Sequence, residues 1–479
     1  MLLTDFGMCR SSRVRTAVAK KEEIRGNLGK ISPNFVDIGL LSCYSDDMIE
    51  KAPTANNSFD IVKLLLDPKV IDAMERVNKD YLYWDKAKYH VPEGVKPEDF
   101  WRAVKFSRSL NLQRQVFPCC SISFNEIPSI QEALHDFDMS FGGTLSSGST
   151  ISDKNRQYYL ISSIMEEAIA SSQMEGAVTT RKVAKEMLRK QRKPKDLSQQ
   201  MILNNYNTII YLADKKSEPL SAQLLLDVHK HITDNTLDNP EDEGRFRTDD
   251  KVVVQNGITG EIVHNPPTWS IIAPSVESIC DFINQDKVFI HPIIKAIILH
   301  FMIAYLHPFE DGNGRTARSL FYWYMLKKGY WLTEFLSISR VIYKSKAQYE
   351  KSFQYTECDG MDLNYFLNYN LDVMKKAFYE LQRYLDRKAK EEQALLEFRI
   401  PGINERQAQI IKTIVEKGNT VFLCKDLERV MNVSVKTIRS DLEGLVQLGL
   451  LEKVPMNKRL SGYTRSPSFE SRLREIRGN

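Results

Sequence analysis

The residues with the clearest chemical potential lie in one stretch, His307 to Arg318, which reads His-Pro-Phe-Glu-Asp-Gly-Asn-Gly-Arg-Thr-Ala-Arg. It combines an imidazole that can act as a base, a carboxylate that can hold a cation, and arginines that can clamp an anion. Gly312 and Gly314 allow a tight loop whose backbone N–H groups converge on an anion. These residue types predict a site that handles phosphate groups. The structural alternative is a Gly-rich turn between two core helices, with the arginines paired to surface carboxylates.

Two helices must position this stretch. The segment Ile293 to Leu306 is apolar nearly all round, which predicts a buried helix. Pro308 cannot continue that helix, so the helix should end just before Pro308. A second helix should begin near residues 313–315, and its first turn would carry Arg315 and Arg318 on one face. Two cations at a helix N-terminus oppose the helix dipole, and a bound polyphosphate would reverse that cost.

A second signal lies upstream, where apolar residues follow a helical period. The predicted inward stripe consists of Ile161, Ile164, Met165, Ala168, Ile169 and Ser172. Glu175 falls on the same stripe, and Gly176 ends the helix. A carboxylate that faces a core needs a cation or hydrogen-bond donors, and the Arg315/Arg318 pair is available. The alternative is a surface-edge Glu, since the end of a helix is often wet.

One segment departs from the helical pattern of residues 151–385. Lys251 to His264 contains two short β-type runs around Asn256-Gly257, which predicts a hairpin that Pro266-Pro267 ends. Spacing alone leaves open whether this hairpin is structural or functional.

Composition sets the broad class of the protein. The chain has 479 residues, of which 42% are hydrophobic and 27% charged, so two to four domains with a sizeable core are expected. No apolar run indicates a membrane span or signal peptide, and cytoplasmic residence is the expectation. The net charge of +4 is too small to indicate nucleic-acid binding by itself. A zinc site or disulfide framework is not expected, because no Cys-x-x-Cys pair occurs among residues 9, 43, 119, 120, 280, 358 and 424.

The predicted fold is mainly α. The predicted organisation is a poorly ordered leader (1–55), a mostly helical segment packed against the central domain (56–150), the central helical domain (151–385), a linker (386–402), a winged helix-turn-helix (403–466) and a basic tail (467–479).

The C-terminal region shows the element order of a winged helix. Three helices and two strands are predicted at Asn404–Val415, Cys424–Met431, Ser434–Leu448, Leu450–Val454 and Leu460–Thr464. Residues 425–479 hold eleven Lys/Arg against seven Asp/Glu, which fits phosphate contacts. The candidate DNA contacts are Lys436, Thr437, Arg439, Lys458 and Arg459. Dimerisation or protein contact is the alternative use of such a domain.

Residues 307–318 match the motif His-x-Phe-x-(Asp/Glu)-Gly-Asn-Gly-Arg-x-x-Arg of Fic-domain proteins at every defined position. Ser171 to Gly176 matches the inhibitory-helix motif of that family, (Ser/Thr)-x-x-x-Glu-(Gly/Asn). The chain therefore resembles Fic proteins whose inhibitory helix, here about 161–176, precedes the catalytic core. The resemblance covers roughly 151–385 and includes a flap hairpin at 252–264. Many bacterial Fic proteins of this type also carry a C-terminal winged helix.

The resemblance implies an autoinhibited protein adenylyltransferase, which moves AMP from ATP to a Ser, Thr or Tyr hydroxyl of a target protein and of itself. His307 would deprotonate the hydroxyl, and Asp311 would hold Mg²⁺. Phe309 would anchor the loop in the core, and the side chain of Asn313 would add a phosphate contact to the anion hole. The residues that would bind ATP are Gly312, Asn313, Gly314, Arg315, Arg318 and, near the adenine, Tyr349.

The same resemblance implies roles for two further segments. Ser171, Glu175 and Gly176 would form the inhibitory motif, with Glu175 paired to Arg318 in place of the γ-phosphate. In the flap, strand addition to a target segment would involve Val252, Val253 and Val254.

Other readings of the chain remain open. The retained glutamate also fits removal of AMP from a modified protein. A third possibility is a DNA-binding transcriptional regulator whose Fic domain senses nucleotide. The expected partners are ATP, a protein target, DNA through the winged helix and a second copy of the chain. Binding to a membrane is not expected.

Overall fold

The computed structural model describes residues 49–53, 61–142, 153–255, 260–396, 402–417, 421–431, 433–456 and 461–477. Most of these residues are helical, so the expected mainly α fold is confirmed. Within the described ranges, strands occur only as three antiparallel pairs. None of the helices in these ranges combines the length and apolar character needed to cross a membrane. The predicted leader lies almost wholly outside them.

The N-terminal part is helical with one strand pair. Its elements are α1 (Ile61–Leu65), α2 (Pro68–Lys79), α3 (Trp84–Ala87), α4 (Pro97–Ser109), β1 (Gln113–Phe117), β2 (Cys120–Phe124), α5 (Pro128–Phe137) and a π-helical turn (Asp138–Gly142). The β1–β2 hairpin is a finding that the sequence patterns did not predict. The segment packs on the central domain as expected: Tyr83 stacks on Tyr355 at 4.5 Å, and Lys105 Nζ lies 2.8 Å from Asp359.

The central region supplies the elements around the predicted site. They are α6 (Asp153–Met174), α7 (Arg181–Arg189), α8 (Leu197–Asp214), α9 (Ala222–Thr233), β3 (Val254–Gln255), β4 (Ile262–His264), α10 (Ile272–Asn284), α11 (Pro292–Leu306), α12 (Asn313–Lys327), α13 (Ile338–Lys344), α14 (Lys346–Cys358) and α15 (Asn364–Leu396). Short 3₁₀ turns lie at Pro240–Asp242, Trp269–Ile271 and Trp331–Phe335.

Helix α11 is the centre of the core, as its all-round apolar pattern predicts. Every residue from Ile293 to Ile303 is buried, and α12 packs along it. Lys295 is the one cation in that stretch, and its ammonium donates to the carbonyl of Gln285 at 2.9 Å and to Asp286 at 2.8 Å. Since α11 ends at Leu306 and α12 begins at Asn313, two rigid helices fix both ends of the loop between them.

Helix α6 buries four of the six residues of its predicted stripe, while Ile164 is half-buried and Ile161 is exposed. The buried members are Met165, Ala168, Ile169 and Ser172. Ile161 is 46% exposed, so its predicted inward position was wrong. The reason is that Ile161 lines an open cavity of about 260 Å³ between α6, α8 and α12 and does not pack into the core.

The segment 386–402, predicted as a linker, is helical through Leu396, because α15 continues for several turns beyond the central region. The elements that follow are α16 (Glu405–Lys417), α17 (Cys424–Met431), α18 (Val435–Gln447), β5 (Leu451–Pro455), β6 (Ser461–Arg465) and α19 (Phe469–Arg477). These helices and strands have a hydrophobic core of their own. The first five elements lie close to the predicted boundaries. The segment predicted as a basic tail contains helix α19, which buries Phe469 and Leu473 in that core.

Candidate active site

His307 ends α11 in a left-handed backbone conformation, with φ 49° and ψ 58°. Such a conformation costs a non-glycine residue roughly 1–2 kcal/mol, so the surroundings must stabilise it. Arg247 does this, because its Nε donates to the carbonyl of His307 at 2.9 Å and its backbone N–H donates to the carbonyl of Pro308 at 2.9 Å. The same guanidinium donates to the backbone carbonyls of Asp249 and Pro267, on either side of the β3–β4 flap. Arg247 therefore joins the loop to both ends of the flap.

The imidazole of His307 is arranged as a base. Its Nδ1–H donates to the carbonyl of Ala304 at 3.0 Å, which leaves the Nε2 lone pair available. Burial lowers the pKa of His307 to about 4, so the ring is neutral near pH 7. This geometry suits the proton-accepting role predicted for His307.

The side chain of Asn313 braces the loop from within. Its Oδ1 accepts from the backbone N–H of Phe309 at 3.0 Å, and its Nδ2 donates to the carbonyl of Phe309 at 2.8 Å. Both residues are buried, which fits the anchoring role predicted for Phe309. The structure thus gives the Asn313 side chain an internal role, and the phosphate contact expected of it stays a prediction.

His229 of α9 supports the same loop and was not singled out from the sequence. Its ring stacks on Phe309 with centroids 3.7 Å apart and an angle of 3°. Nδ1 accepts from the N–H of Gly244 at 3.0 Å, so Nε2 carries the hydrogen and donates to the carbonyl of Asp311 at 2.8 Å. Burial lowers the pKa of His229 to about 4, which keeps this tautomer neutral. A single histidine on an apolar helix face carries no signal of such a role.

At two glycines of the loop, neighbouring atoms lie too close to leave room for a side chain. Gly312 has φ +81°, and a Cβ there would lie 2.9 Å from Cγ2 of Thr233. At Gly314 an added Cβ would lie 2.2 Å from Oε1 of Glu175 and 3.0 Å from Nη1 of Arg318. The missing side chain at Gly314 thus lets a carboxylate rest against the first turn of α12, where the helix dipole favours an anion.

The guanidinium of Arg318 holds the end of α6. Its Nη2 lies 2.9 Å from Oε1 of Glu175 and donates to the carbonyl of Ser171 at 3.0 Å, while Nε donates to the hydroxyl of Ser171 at 2.9 Å. Burial by itself would raise the pKa of Glu175, but the charge of Arg318 outweighs it and holds that pKa below the usual range. The cationic partner that helical spacing predicts for Glu175 is therefore Arg318.

Arg315 lies in the core with incomplete hydrogen bonding. Its side chain is fully buried, and Nη1 donates to the carbonyl of Ile232 at 3.2 Å. Nε and Nη2 have no hydrogen-bond partner among the described residues, and Nη2 is 3.6 Å from Oδ2 of Asp311. Leaving a buried donor unsatisfied costs about 1–3 kcal/mol, so an acceptor at these two nitrogens would stabilise the guanidinium.

Glu175, His307, Gly314 and Arg318 line a cavity of about 230 Å³, and Arg315 is not among its lining residues. Its walls come from the end of α6, the flap, the loop and α14, and the polar and flap residues that line it include Glu175, Val254, Gln255, His264, His307, Gly314, Arg318, Lys346, Tyr349 and Glu357. The hydroxyl of Tyr349 lies 2.9 Å from Nε2 of His300, which orients the phenol ring at the cavity wall.

The flap is present, although residues 256–259 lie outside the described ranges. Val254 pairs with His264 across the two strands and lines the cavity. Val252 and Val253 precede β3 and are not among the lining residues, so only one of the three predicted flap valines faces the site.

Two cavity residues that sequence reasoning missed hold neighbouring elements in place. His264 Nε2 donates to the carbonyl of Tyr305 at 2.8 Å, and Nδ1 lies 2.9 Å from Glu357. Burial would lower the pKa of His264, but Glu357 outweighs that effect and raises it. Lys346 donates to the carbonyl of Met174 at 3.2 Å and so caps α6 beside Glu175.

The predicted DNA contacts lie apart from this cavity, on other elements. Lys436 and Arg439 are exposed on α18, Thr437 is half-buried there, and Ser434 caps the helix through the N–H of Thr437 at 3.2 Å. Lys458 and Arg459, predicted for the wing, lie outside the described residues.

Residues 219–325, from the start of α9 to the end of α12, match the Fic/DOC family. Within this range the chain is similar to Fic/DOC domains. The matching range holds His229, Arg247, the flap and the whole loop from His307 to Arg318.

Curated relatives align with the Fic region. The chain is 28% identical to protein adenylyltransferase fic-1 of Caenorhabditis elegans over 175 residues, which is 36% of this chain and 30% of the relative. It is 29% identical to protein adenylyltransferase Fic of Nematostella vectensis over 117 residues, 24% of this chain and 25% of the relative. The chain thus spans less than a third of the length of these relatives.

Solved structures of Fic proteins are also similar. A Fic family protein from Desulfovibrio desulfuricans G20 aligns with a TM-score of 0.46 at 17% identity, over 74% of this chain and 97% of that one. Fic-1 of Caenorhabditis elegans, residues 134–508, aligns with a TM-score of 0.46 at 17% identity, over 69% of this chain and 92% of that one.

We expect Gly312→Ala to destabilise the central helical region more than Gly329→Ala does. Both glycines have positive φ, +81° and +87°, so each alanine costs about 1–2 kcal/mol of backbone strain. Only at position 312 would the new Cβ also meet Thr233. Urea unfolding of the two variants measures the difference, and equal losses of stability would contradict the contact with Thr233.

Proposed function

We propose that this protein is a protein adenylyltransferase whose activity Glu175 restrains. The observation that carries the proposal is the cavity in which a neutral His307, with its Nε2 free, faces the N-terminus of α12 together with Arg318. The names of the curated relatives support the same reaction. The substrates would be ATP and a Ser, Thr or Tyr hydroxyl of a protein.

In this reaction the target hydroxyl oxygen forms a bond to the α-phosphorus of ATP. The bond from that phosphorus to the bridging oxygen breaks, and pyrophosphate leaves. The hydroxyl proton passes to Nε2 of His307, which the Nδ1–H bond to Ala304 keeps in the required tautomer. The backbone N–H groups at the start of α12 and the guanidiniums of Arg315 and Arg318 would stabilise negative charge on the phosphates.

Asp311 is the residue that would hold Mg²⁺. Its carboxylate is 62% exposed, and no group of three or more His, Cys, Asp or Glu side chains around a common point occurs in the described part of the chain. A single carboxylate fits Mg²⁺, which is commonly bound by one or two carboxylates plus substrate phosphates and water. When bound, the ion would neutralise charge on the phosphates.

Autoinhibition follows from the place that Glu175 occupies. Its carboxylate lies on Arg318 and against Gly314, where a phosphate of a productively bound ATP would need both the guanidinium and the helix N-terminus. The γ-phosphate and Glu175 would therefore compete for one cationic position. A nucleotide that binds while Glu175 remains in place would be held in a non-productive pose.

We expect Glu175→Gly to raise the initial rate of AMP transfer by about tenfold to a hundredfold, because a charge-assisted contact of about 1.5–3 kcal/mol no longer competes with the phosphate. The measurement is incorporation of label from ATP labelled at the α-phosphate into a target or into the protein itself. Glu175→Gln is the matched variant, since it keeps the side-chain size and removes the charge.

Glu175→Gly/His307→Ala should incorporate no label, because the base is absent. An unchanged rate in Glu175→Gly would contradict autoinhibition. Absence of label in every variant that still binds ATP would instead favour one of two alternatives. The first is removal of AMP, in which the retained Glu175 would position a water; the second is a regulator that senses nucleotide.

The pH dependence of the transfer rate is a second test of His307. The pKa of His307 is lowered to about 4, so the base stays deprotonated well below pH 6.5 and its activity is lost only as the pH falls toward that value. At saturating ATP and Mg²⁺, the rate of Glu175→Gly should change by less than about twofold between pH 7.5 and 5.5. A base with an ordinary pKa near 6.5 would lose about tenfold over that range. Circular dichroism at each pH excludes unfolding as the cause of a loss.

We also propose that the C-terminal domain binds DNA. On α18, Lys436 and Arg439 are exposed, while Ile438 and Leu442 are buried. The exposed face can therefore enter a groove while the opposite face holds the domain together.

For this domain we expect Lys436→Ala/Arg439→Ala to weaken binding to duplex DNA, and to reduce the dependence of affinity on salt, because up to two phosphate contacts are lost. Lys375→Ala/Lys376→Ala, which removes two exposed cations from α15, is the charge-matched control. Mobility-shift titrations at two salt concentrations give both quantities. Equal affinity in the two variants would favour a protein-binding role for the domain.

A further inference from the structure

A second cavity of about 460 Å³ lies on the other side of the inhibitory helix. Its walls come from α6, α7, the turn Trp331–Phe335, α13 and α15, and it shares no lining residue with the catalytic cavity. Its size falls within the range of small-molecule sites, roughly 300–1,000 Å³. The catalytic machinery makes no use of it.

This cavity has a large excess of positive charge. Among the described residues that line it, six are cations and two are carboxylates, Glu166 and Glu380. The six cations are Arg181, Lys185, Arg189, Arg340, Arg383 and Arg387. Cations brought together in this way repel one another, and a bound anion of high charge would offset that repulsion.

Both carboxylates already form ion pairs with neighbouring cations. Glu166 accepts from Nε of Arg181 at 2.8 Å and pairs with Lys185. Glu380 accepts from Lys344, outside the lining, at 2.8 Å and lies 3.8 Å from Arg340. Among the described residues that line the cavity, cations therefore outnumber carboxylates by four.

Two cations indicate where an anion would lie. The side chain of Lys185 is only 19% exposed, and its pKa is lowered by burial first and further by the neighbouring charges of Arg181 and Arg189. Arg383 is exposed at the rim and has no carboxylate partner among the described residues. An anion between these positions would have contacts at both the floor and the rim.

The walls also offer an apolar surface. Phe335 and Leu381 line the cavity, and the guanidinium of Arg387 lies over the ring of Tyr384 at 5.3 Å. Arginine forks match phosphate oxygens in bidentate geometry, and an aromatic ring suits a flat base. A monocarboxylate would offset only one of the four excess charges, and an inorganic anion would leave the apolar wall uncovered.

We propose that this cavity binds a polyphosphorylated nucleotide, with its phosphates among the arginines and its base against Tyr384 and Phe335. The bound phosphates compete with Glu166 for Arg181 and Lys185. Glu166 precedes Glu175 by nine residues on α6 and its end, about 14 Å along the helix axis. Occupancy therefore changes an ion pair that fastens the inhibitory helix to α7.

The test uses the full chain and two probes, GTP and inorganic tripolyphosphate, in calorimetric titrations. Arg383→Ala/Arg387→Ala should weaken the binding of both probes about tenfold or more, because two charge-assisted phosphate contacts are lost. Lys375→Ala/Lys376→Ala removes the same charge from the same helix outside the cavity and should leave both affinities within about twofold. Thermal unfolding checks that both variants are folded.

Two further measurements test whether the ligand is a nucleotide and whether it binds in this cavity. GTP should bind more tightly than tripolyphosphate, and Tyr384→Ala should remove that difference; equal affinities in the unchanged protein would overturn the nucleotide assignment. Hydrogen exchange of residues 160–190 should change when GTP binds and should not change in Arg383→Ala/Arg387→Ala. Both probes can also enter the catalytic cavity. If the probes bound equally well to Arg383→Ala/Arg387→Ala and to Lys375→Ala/Lys376→Ala, the proposed binding site in the second cavity would be wrong.

Discussion

The guanidinium of Arg318 is the constraint on which the rest of the site depends. It is 3% exposed at the start of α12, and removing such a charge from water costs several kcal/mol unless partners compensate. Ser171 supplies two oxygen acceptors, but neither carries a charge. An anion must complete the arrangement, and Glu175 does so from the end of α6. The position of α6 and the absence of a side chain at Gly314 both follow from the need to bring a carboxylate to this one place.

Helix α6 and its end line two cavities and contribute a glutamate to each, Glu175 to one and Glu166 to the other. Glu175 is bound by Arg318 on the catalytic side, and Glu166 is bound by Arg181 and Lys185 on the other. Another carboxylate of α6, Glu167, is buried and accepts hydrogen bonds from α12 and α13, including one from Tyr322 at 2.7 Å. Ion pairs and hydrogen bonds therefore add to the apolar packing of Met165 and Ile169 in holding this helix in place. An anion that competed for those cations would weaken the contacts that hold the helix.

The sequence predicted those features that depend on residues close together in the chain. The apolar run of α11, the break at Pro308 and the glycines of the loop are local, so they predict two helices and an anion-binding turn between them. The element order of the C-terminal domain could be predicted for the same reason, since periodicity and turn residues repeat over short distances. The Glu175–Arg318 pair joins residues 143 apart, yet it could be inferred because an inward-facing carboxylate requires a cation.

Only the tertiary structure decided which side chains hold the loop in shape. His229 reaches Asp311 across 82 residues, and Arg247 reaches His307 across 60, and no local pattern predicts either contact. The internal role of Asn313 was also hidden, because the sequence cannot tell whether an amide faces a ligand or its own backbone. The sequence by itself therefore determined the chemical groups available, namely an imidazole, a carboxylate and two guanidiniums. The tertiary structure determined their geometry, because buried polar groups must find partners wherever the fold brings an acceptor or donor within reach.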